Sequence, residues 1–174
     1  MNILKSSALA AVAAVALTAE VPRPAPKILF SSPSSERLDT SKYKGKVVVL
    51  EFLLTTCEHC QKTARILDGL QKDLGPRGVQ VLGIAANTGE PAVVEDFRTK
   101  YRISFPVGWG DRDSIHMYLQ HSITKMMYFP QVVMIDRKGA IRAQFEGGHK
   151  IFEEARQASN LRAEIEMLLK EPAR

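Results

Sequence analysis

The stretch "VVVLEFLLTTCEHCQKTARIL", from Val47 to Leu67, decides the fold. Residues 47–54 are apolar except for Glu51, a pattern that is typical of a strand buried on both faces. After Cys57 an apolar side chain recurs at every third or fourth position, which predicts an amphipathic helix that ends at "GPRG". The inward stripe of this helix comprises Cys60, Ala64, Leu67, Leu70 and Leu74. The stretch therefore predicts a buried strand that leads directly into a helix, with both cysteines of the chain at the junction.

The rest of the chain alternates between strand and helix patterns. The predicted elements, in order, are a strand at 79–86, a helix at 90–103, a loop at 105–113, a short helix at 114–121, and strands at 131–135 and 140–145. The last two strands form a hairpin through "DRKG", in which Gly139 takes a positive φ. This order predicts an α/β fold whose central mixed sheet has parallel strands plus a C-terminal antiparallel hairpin, with helices on both faces.

The C-terminal segment predicts one more amphipathic helix, over residues 151–170. Its expected inward residues are Ile151, Ala155, Ala158, Leu161, Ile165 and Leu168.

Composition limits the classes of partner. A chain of 174 residues has room for one domain with a sizeable core. The formal net charge is +5, but the basic residues are interleaved with acidic ones, and no basic block carries interleaved aromatic residues. This pattern argues against nucleic-acid binding and is compatible with loose attraction to acidic partners or to a lipid surface. We expect a monomer.

The N-terminal residues read as a targeting segment. Residues 8–19 are a short apolar run after a single Lys5, too short to span a bilayer comfortably, and small residues precede a proline-rich break. We interpret residues 1–19 as a signal peptide, 20–36 as a linker in which "KILF" adds an edge strand, and 37–171 as the domain. The expected location is the periplasm or cell envelope, after export. The alternative is an alanine-rich helix that stays on the mature protein.

The two cysteines lie three residues apart, which on a helix is the separation that a disulfide requires. Cys57 would lie at the helix N-terminus, where free N–H groups favour a thiolate, so it is the expected nucleophile. Cys60 lies one turn further in and would resolve a mixed disulfide. His59, between them, would tune the pair by stabilising the thiolate, unless it is a solvent-facing residue without a partner.

Glu51 is a single charge within an apolar strand. A carboxylate is costly there, so burial should raise its pKa, and it would lie beneath the cysteine turn. It could then take or give the proton of Cys60, directly or through a water molecule. The alternative is an edge position that faces solvent.

Three blocks in this order resemble the TlpA/ResA type of thioredoxin-fold protein, the bacterial envelope thiol–disulfide oxidoreductases. The blocks are "KGKVVVLEFLLTTCEHC", "VQVLGIAAN" with "VVEDFRTKYRISFPV", and "YFPQVVMIDRKGAIRAQFEGG". The resemblance implies a thioredoxin-like fold, the redox pair Cys57 and Cys60, and a cis Pro130 that exposes the backbone of Phe129 to a bound protein substrate. Glu51 falls where thioredoxin itself carries a buried Asp.

Two positions depart from the family pattern. Thr56 stands before the first cysteine, where the family usually has Trp, and it is expected to border the substrate with Phe129 and Pro130. His59 at this place of the motif is more typical of the oxidising DsbA type, so the direction of electron flow stays open. A separate redox partner would reset the couple.

Three alternatives to thiol–disulfide exchange remain. A copper-binding chaperone could recruit His149 to the cysteine pair, although such proteins space their cysteines by three residues. A peroxiredoxin-like peroxidase would need Thr three residues before Cys57, where Leu54 stands. A structural disulfide over so short a loop would constrain the unfolded chain little. We expect neither a cofactor nor a bound metal.

Overall fold

The computed structural model describes residues 20–27, 29–34 and 37–172. The segment interpreted as a signal peptide, residues 1–19, lies outside them. The strands are β1 (Arg23–Pro24), β2 (Val47–Leu53), β3 (Val79–Ala85), β4 (Val107–Trp109), β5 (Gln131–Ile135) and β6 (Ala140–Phe145). The helices are α1 (Glu58–Leu74), α2 (Pro91–Tyr101), α3 (Arg112–Leu119) and α4 (Gln157–Leu169).

The described strands form one sheet in the order β1-β6-β5-β2-β3-β4. β2 pairs in parallel with β3, and β3 in parallel with β4. β5 is antiparallel to β2, β6 to β5, and β1 to β6. The predicted mixed sheet with its C-terminal hairpin is therefore confirmed, and Gly139 in the hairpin turn has a φ of 86°. β2 lies in the interior of the sheet, so the residues at its end are held from both sides.

Helices cover both faces of the sheet. One core cluster joins β2 to α1, α2 and α4 through buried residues such as Leu53, Cys60, Phe97 and Leu161. The second cluster lies on the opposite face and joins β2 and β3 to α3. The predicted apolar stripe of α1 is buried from Cys60 to Leu74, and α1 is therefore fixed against the sheet from its first turn.

The predicted loop at 105–113 is partly wrong, because it contains β4. Val107 and Trp109 extend the sheet beside β3, where Gly83 and Ala85 are their partners. On the outer side, Ser31 and Trp109 exchange two backbone hydrogen bonds, of 3.0 and 2.9 Å. β4 has only three residues, one of which is Gly108, and Gly110 follows it. This is too short a pattern to indicate a strand from the sequence.

The described part of the predicted linker 20–36 packs on the domain instead of leading loosely into it. Arg23 and Pro24 pair with β6 and form an edge strand there, whereas Phe30, at the end of "KILF", forms an isolated bridge with Leu38. The rest of that predicted strand includes Ile28, which lies outside the described residues. Phe30 is 2% exposed, and its ring contacts those of Phe52 and Tyr118, each at 5.7 Å between centroids. The high proline content marks an extended segment, and burial of one aromatic side chain holds it in place.

The closing helix is shorter than predicted. A separate 3-10 turn, Lys150–Phe152, precedes α4, because the Nδ1 atom of His149 accepts the N–H of Ile151 at 3.1 Å and starts the turn there. The break changes the helical phase, so Ala155 and Ala158 are exposed and Gln157 is buried. The other expected inward residues, from Ile151 to Leu168, are buried as predicted.

Candidate functional site

The cysteine pair lies where β2 passes into α1. Cys57 is the residue before the first helical turn, with an extended backbone, and its Sγ accepts the N–H of Cys60 at 3.3 Å. Cys57 is partly exposed, whereas Cys60 is fully buried. Burial, and then a hydrogen bond that its S–H donates to the side chain of Cys57, raise the pKa of the Cys60 thiol well above its ordinary value. One sulfur is thus accessible from the protein surface, and the other is held protonated behind it.

Glu51 lies beneath this turn in the middle of β2. The side chain is fully buried, and neither carboxyl oxygen has a hydrogen-bond partner among the described residues. Burial raises its pKa well above the ordinary range, and the negative charge of the Cys57 thiolate raises it further. The predicted burial and raised pKa are confirmed. The alternative of a solvent-facing edge position is wrong, because β2 has β3 on one side and β5 on the other.

The Phe129–Pro130 peptide is cis, as the resemblance implies. Pro130 is buried immediately before β5, and Phe129 is half-buried. Both residues line a groove of about 440 Å³ together with His59 from the first turn of α1. The structure therefore brings three of the predicted site residues to one surface.

Of Thr56 and His149, only His149 lines this groove. Thr56 is exposed beside Cys57 and is not among the described residues that line the groove. His149 does line it, with its ring 5.0 Å from that of Phe145, while its Nδ1 is engaged by Ile151. Within residues 20–27, 29–34 and 37–172, no three side chains of His, Cys, Asp or Glu are grouped to hold a metal ion.

Two polar residues behind His59 were missed by sequence reasoning. The hydroxyl of Thr63 donates to the carbonyl of His59 at 2.9 Å and accepts from the Nε2 of Gln157 at 2.6 Å. Thr63 is fully buried and Gln157 nearly so. This chain of hydrogen bonds ties the first turn of α1 to the start of α4. The sequence signal that could have revealed them is the presence of polar side chains on the apolar, inward faces of α1 and α4.

The backbone of Tyr128, one residue before Phe129, is held by a second set of residues that sequence reasoning missed. Its N–H donates to Oε1 of Glu146 at 3.1 Å. Its carbonyl accepts from Nε2 of Gln131 at 3.1 Å and from the N–H of Gly147 at 3.3 Å. No local pattern signals these contacts, because they join residues up to 19 positions apart in the printed chain.

A second cavity, of about 540 Å³, lies beyond the carboxyl ends of β3 and β4 and is lined in part by Asn87 and Trp109. Asn87 accepts the N–H of Thr55 and donates to its hydroxyl, both at 3.0 Å. Trp109 thus lies at the same edge of the sheet as the cysteine turn but lines this cavity, not the groove beside Pro130.

The family model described as AhpC/TSA family matches residues 21–144, a region that begins just before β1 and ends within β6. The chain belongs to the AhpC/TSA family. The match includes the cysteine turn, Glu51 and the cis-proline segment in one continuous region. This family member carries the described thioredoxin-like fold, in which a mixed sheet is flanked by helices.

Individual proteins similar to this AhpC/TSA member are thiol–disulfide proteins. The thiol-disulfide oxidoreductase ResA of Bacillus subtilis is 33% identical over 84 residues, 48% of this chain and 46% of ResA. ResA of Geobacillus kaustophilus is 26% identical over 124 residues, 71% of this chain and 67% of that protein. The chain spans about half the length of most of the curated relatives it matches.

Among solved structures, the fold is similar to a thiol:disulfide interchange protein of the thioredoxin family from Chlorobium tepidum TLS. The TM-score is 0.70 at 21% identity, over 85% of this chain and 97% of that protein. At this level of identity the likeness concerns the fold.

Proposed function

We propose that this protein is an enzyme that catalyses thiol–disulfide exchange on protein substrates, with Cys57 as the nucleophile and Cys60 as the resolving thiol. The observation that carries the proposal is the asymmetry of the pair. Cys57 is partly exposed at the N-terminus of α1, and Cys60 is buried one turn behind it. A substrate sulfur can reach only the first cysteine directly, while the second is placed to attack the first.

The exchange proceeds in two steps. The Cys57 thiolate attacks one sulfur of a substrate disulfide, the substrate S–S bond breaks, and the other substrate sulfur leaves as a thiolate. Cys60, once deprotonated, attacks Sγ of Cys57 and releases the second substrate thiolate. The substrate is reduced by two electrons and the enzyme is oxidised to the Cys57–Cys60 disulfide. The reverse sequence oxidises a substrate dithiol, and a separate redox partner resets the couple in either direction.

Glu51 is proposed to serve the second step as the proton acceptor for Cys60. Both groups have a raised pKa, and the carboxylate of Glu51 is near enough to contribute to the shift of Cys60. Only the ionised form of Glu51 can accept this proton. Because the pKa of Glu51 is raised, that carboxylate is a stronger base than an exposed one, which favours proton transfer from the Cys60 thiol.

The groove beside Pro130 is proposed to bind the substrate segment next to its reacting cysteine. Extended peptides pair with free backbone groups, and the half-buried Phe129 offers such an edge within reach of α1. His59 lines the same groove, and we propose that its imidazole stabilises the Cys57 thiolate. Thr56, exposed beside Cys57, would contact the substrate outside the groove.

We also propose export to the periplasm or cell envelope, on the strength of the apolar run at residues 8–19. In the described part of the chain, no helix is long and apolar enough to cross a membrane.

The test is transfer of disulfide bonds between the purified protein and a disulfide-containing model protein. The wild type should exchange with it, and Cys57→Ala should lower the rate by about a hundredfold or more, because the remaining thiol, Cys60, is fully buried. Glu95→Gln, in an exposed ion pair on α2, is the matched control and should leave the rate unchanged. Exchange that persists in Cys57→Ala would overturn the proposal. Consumption of hydrogen peroxide without exchange would favour the peroxidase alternative.

A further inference from the structure

The backbone segment that offers its edge to the proposed substrate is held from one side by the chain that follows β6. Oε1 of Glu146 accepts the N–H of Tyr128 at 3.1 Å, and the N–H of Gly147 donates to the carbonyl of Tyr128 at 3.3 Å. A Cβ atom on Gly147 would lie only 2.6 Å from the carbonyl oxygen of Phe129. Residues 146–147 therefore pack directly against the backbone of Tyr128 and Phe129.

Glu146 has a second partner, which is titratable. The same oxygen, Oε1, lies 3.4 Å from Nε2 of His121. The other ring nitrogen of His121, Nδ1, lies 3.0 Å from the carbonyl oxygen of Ser122. Both ring nitrogens thus face hydrogen-bond acceptors, and only the imidazolium, which carries a proton on each nitrogen, satisfies both.

The charged and titratable groups around His121 come from two directions. Glu146 approaches from the end of β6, and the ring of His116 on α3 packs edge-on at 5.4 Å between centroids. His116 is itself oriented by its own contacts: Nδ1 faces the carbonyl of His121 at 3.2 Å, and Nε2 accepts from Nε of Arg112 at 3.5 Å. Among the described neighbours, Glu146 is therefore the negatively charged group that faces His121.

We propose that Glu146 and His121 together form a proton-dependent positioning pair for the substrate-binding backbone at Phe129. The pair makes protein substrates bind more tightly when His121 carries its proton. This inference rests on the proposed exchange activity for its functional consequence, but not for its structural part. Glu146 is a positioning residue, since it acts through Tyr128 and neither cysteine is among its described partners.

The direction of the pH effect follows from the geometry. While His121 is protonated, its charge holds the carboxylate in place to accept the N–H of Tyr128. When the proton is lost, the remaining N–H stays on Nδ1, because the carbonyl of Ser122 at 3.0 Å is a closer acceptor than Oε1 of Glu146 at 3.4 Å. A lone pair on Nε2 then faces Oε1 of Glu146, and the two repel. The carboxylate then moves away from Tyr128. We therefore expect the KM for a protein substrate to rise as the pH increases through the titration of His121.

The structural part is tested by NMR titration of the reduced protein between about pH 5 and 8, where histidine ordinarily titrates. The backbone amide signal of Tyr128 should move with the imidazole signals of His121 in the wild type. In Glu146→Gln the amide side chain can still accept the N–H of Tyr128 but carries no charge for His121, so the two signals should become independent. A Tyr128 amide that does not follow His121 in the wild type would overturn the inference, whatever the activity.

The functional part is tested by the ratio of KM at about pH 8 to KM at about pH 5.5. We expect a ratio of about two to five in the wild type, the size of effect typical of one partly exposed ion pair. The ratio should fall to about one in Glu146→Gln, while kcat keeps its wild-type pH dependence. Glu95→Gln, which removes a similarly exposed ion pair on α2, should keep the wild-type ratio.

A wild-type ratio retained in Glu146→Gln would overturn the inference while exchange itself stands. Failure of the proposed function is distinguishable, because then no enzyme-dependent exchange is seen in any variant. In that case the NMR titration still decides whether the pair positions Tyr128.

Discussion

At the scale of single residues, burial gives two side chains of the same type different chemical properties. Cys57 and Cys60 differ by one helical turn, yet the first is accessible and the second has its pKa raised by burial. Glu51 has no hydrogen-bond partner in the described part of the chain, whereas the buried polar side chains of Gln157 and Thr63 bond to each other. An unpaired buried carboxyl destabilises the folded state, so its presence favours a chemical role.

The burial of Glu51 without a partner predicts how the free energy of unfolding depends on pH. The folded chain keeps the proton of Glu51 well above the ordinary pKa near 4.5, whereas the unfolded chain releases it there. The free energy of unfolding should therefore fall as the pH rises above that value, until Glu51 ionises in the folded state as well. Glu51→Leu removes the penalty and should stabilise the reduced protein at about pH 7 by about 1 to 3 kcal/mol.

Urea denaturation at about pH 4 and about pH 7 measures this effect. The stabilisation by Glu51→Leu should be larger at the higher pH, because the wild type alone loses stability between the two. An equal difference at both pH values would show that Glu51 keeps an ordinary pKa in the folded state.

At the scale of elements, β2 and α1 could be predicted almost to the residue. A continuous apolar run and a regular apolar stripe are patterns of neighbouring residues, so they can be recognised in the sequence. As these patterns predict, β2 is buried on both faces and α1 is buried along its apolar stripe. The closing helix could not, because a side chain outside it, His149, caps the turn Lys150–Phe152 and changes the phase. β4 was missed because its pairing with β3 and Ser31 is tertiary.

The site shows the same division. The cysteine pair, Glu51 and the cis Pro130 carried recognisable local or family patterns, and their positions were predicted. The contacts of Glu146 with Tyr128 and His121 join parts of the chain that are distant in sequence. A glutamate after a strand and a histidine after a helix are both common, so only the structure reveals these contacts.

The loop after β6 makes a prediction at this scale. In Gly147→Ala the new Cβ would meet the carbonyl oxygen of Phe129 at 2.6 Å, and a backbone atom cannot rotate away. We expect a loss of about 1 to 3 kcal/mol in the free energy of unfolding and a higher KM for a protein substrate.

The matched control is Gly69→Ala in the middle of α1, where nothing lies within 4 Å of the new Cβ. That change should stabilise the protein by about 0.5 to 1 kcal/mol, since alanine is the better helix former. Gly147→Ala behaving like this control in denaturation and in KM would contradict the proposed bracing of Phe129.

At the scale of the whole molecule, the domain extends further towards the N-terminus than composition indicated. β1 completes the sheet beside β6, and Phe30 fills the core between the sheet and α3. The AhpC/TSA match begins in the same segment, at residue 21. Proline-rich composition alone did not distinguish a free linker from an extended chain that is packed on a core.

Phe30→Ala tests this extended boundary. Loss of a ring that is 2% exposed and contacts Phe52 and Tyr118 should lower the free energy of unfolding by about 3 to 5 kcal/mol. Leu29→Ala is the control, because Leu29 is 48% exposed and should cost little. Denaturation curves in which both variants match the wild type would show that residues 29–34 are a linker and do not stabilise the domain.

The central claim is that Cys57 attacks and Cys60 resolves, and trapping of the intermediate tests it most directly. The reduced Cys60→Ser protein is mixed with a disulfide-containing protein and analysed by mass spectrometry without reductant, beside Cys57→Ser. We predict a covalent mixed disulfide on Cys57 in the Cys60→Ser protein and none in the Cys57→Ser protein, because Cys60 is fully buried. An adduct on Cys60 in the Cys57→Ser protein, with none on Cys57 in the Cys60→Ser protein, would contradict the account.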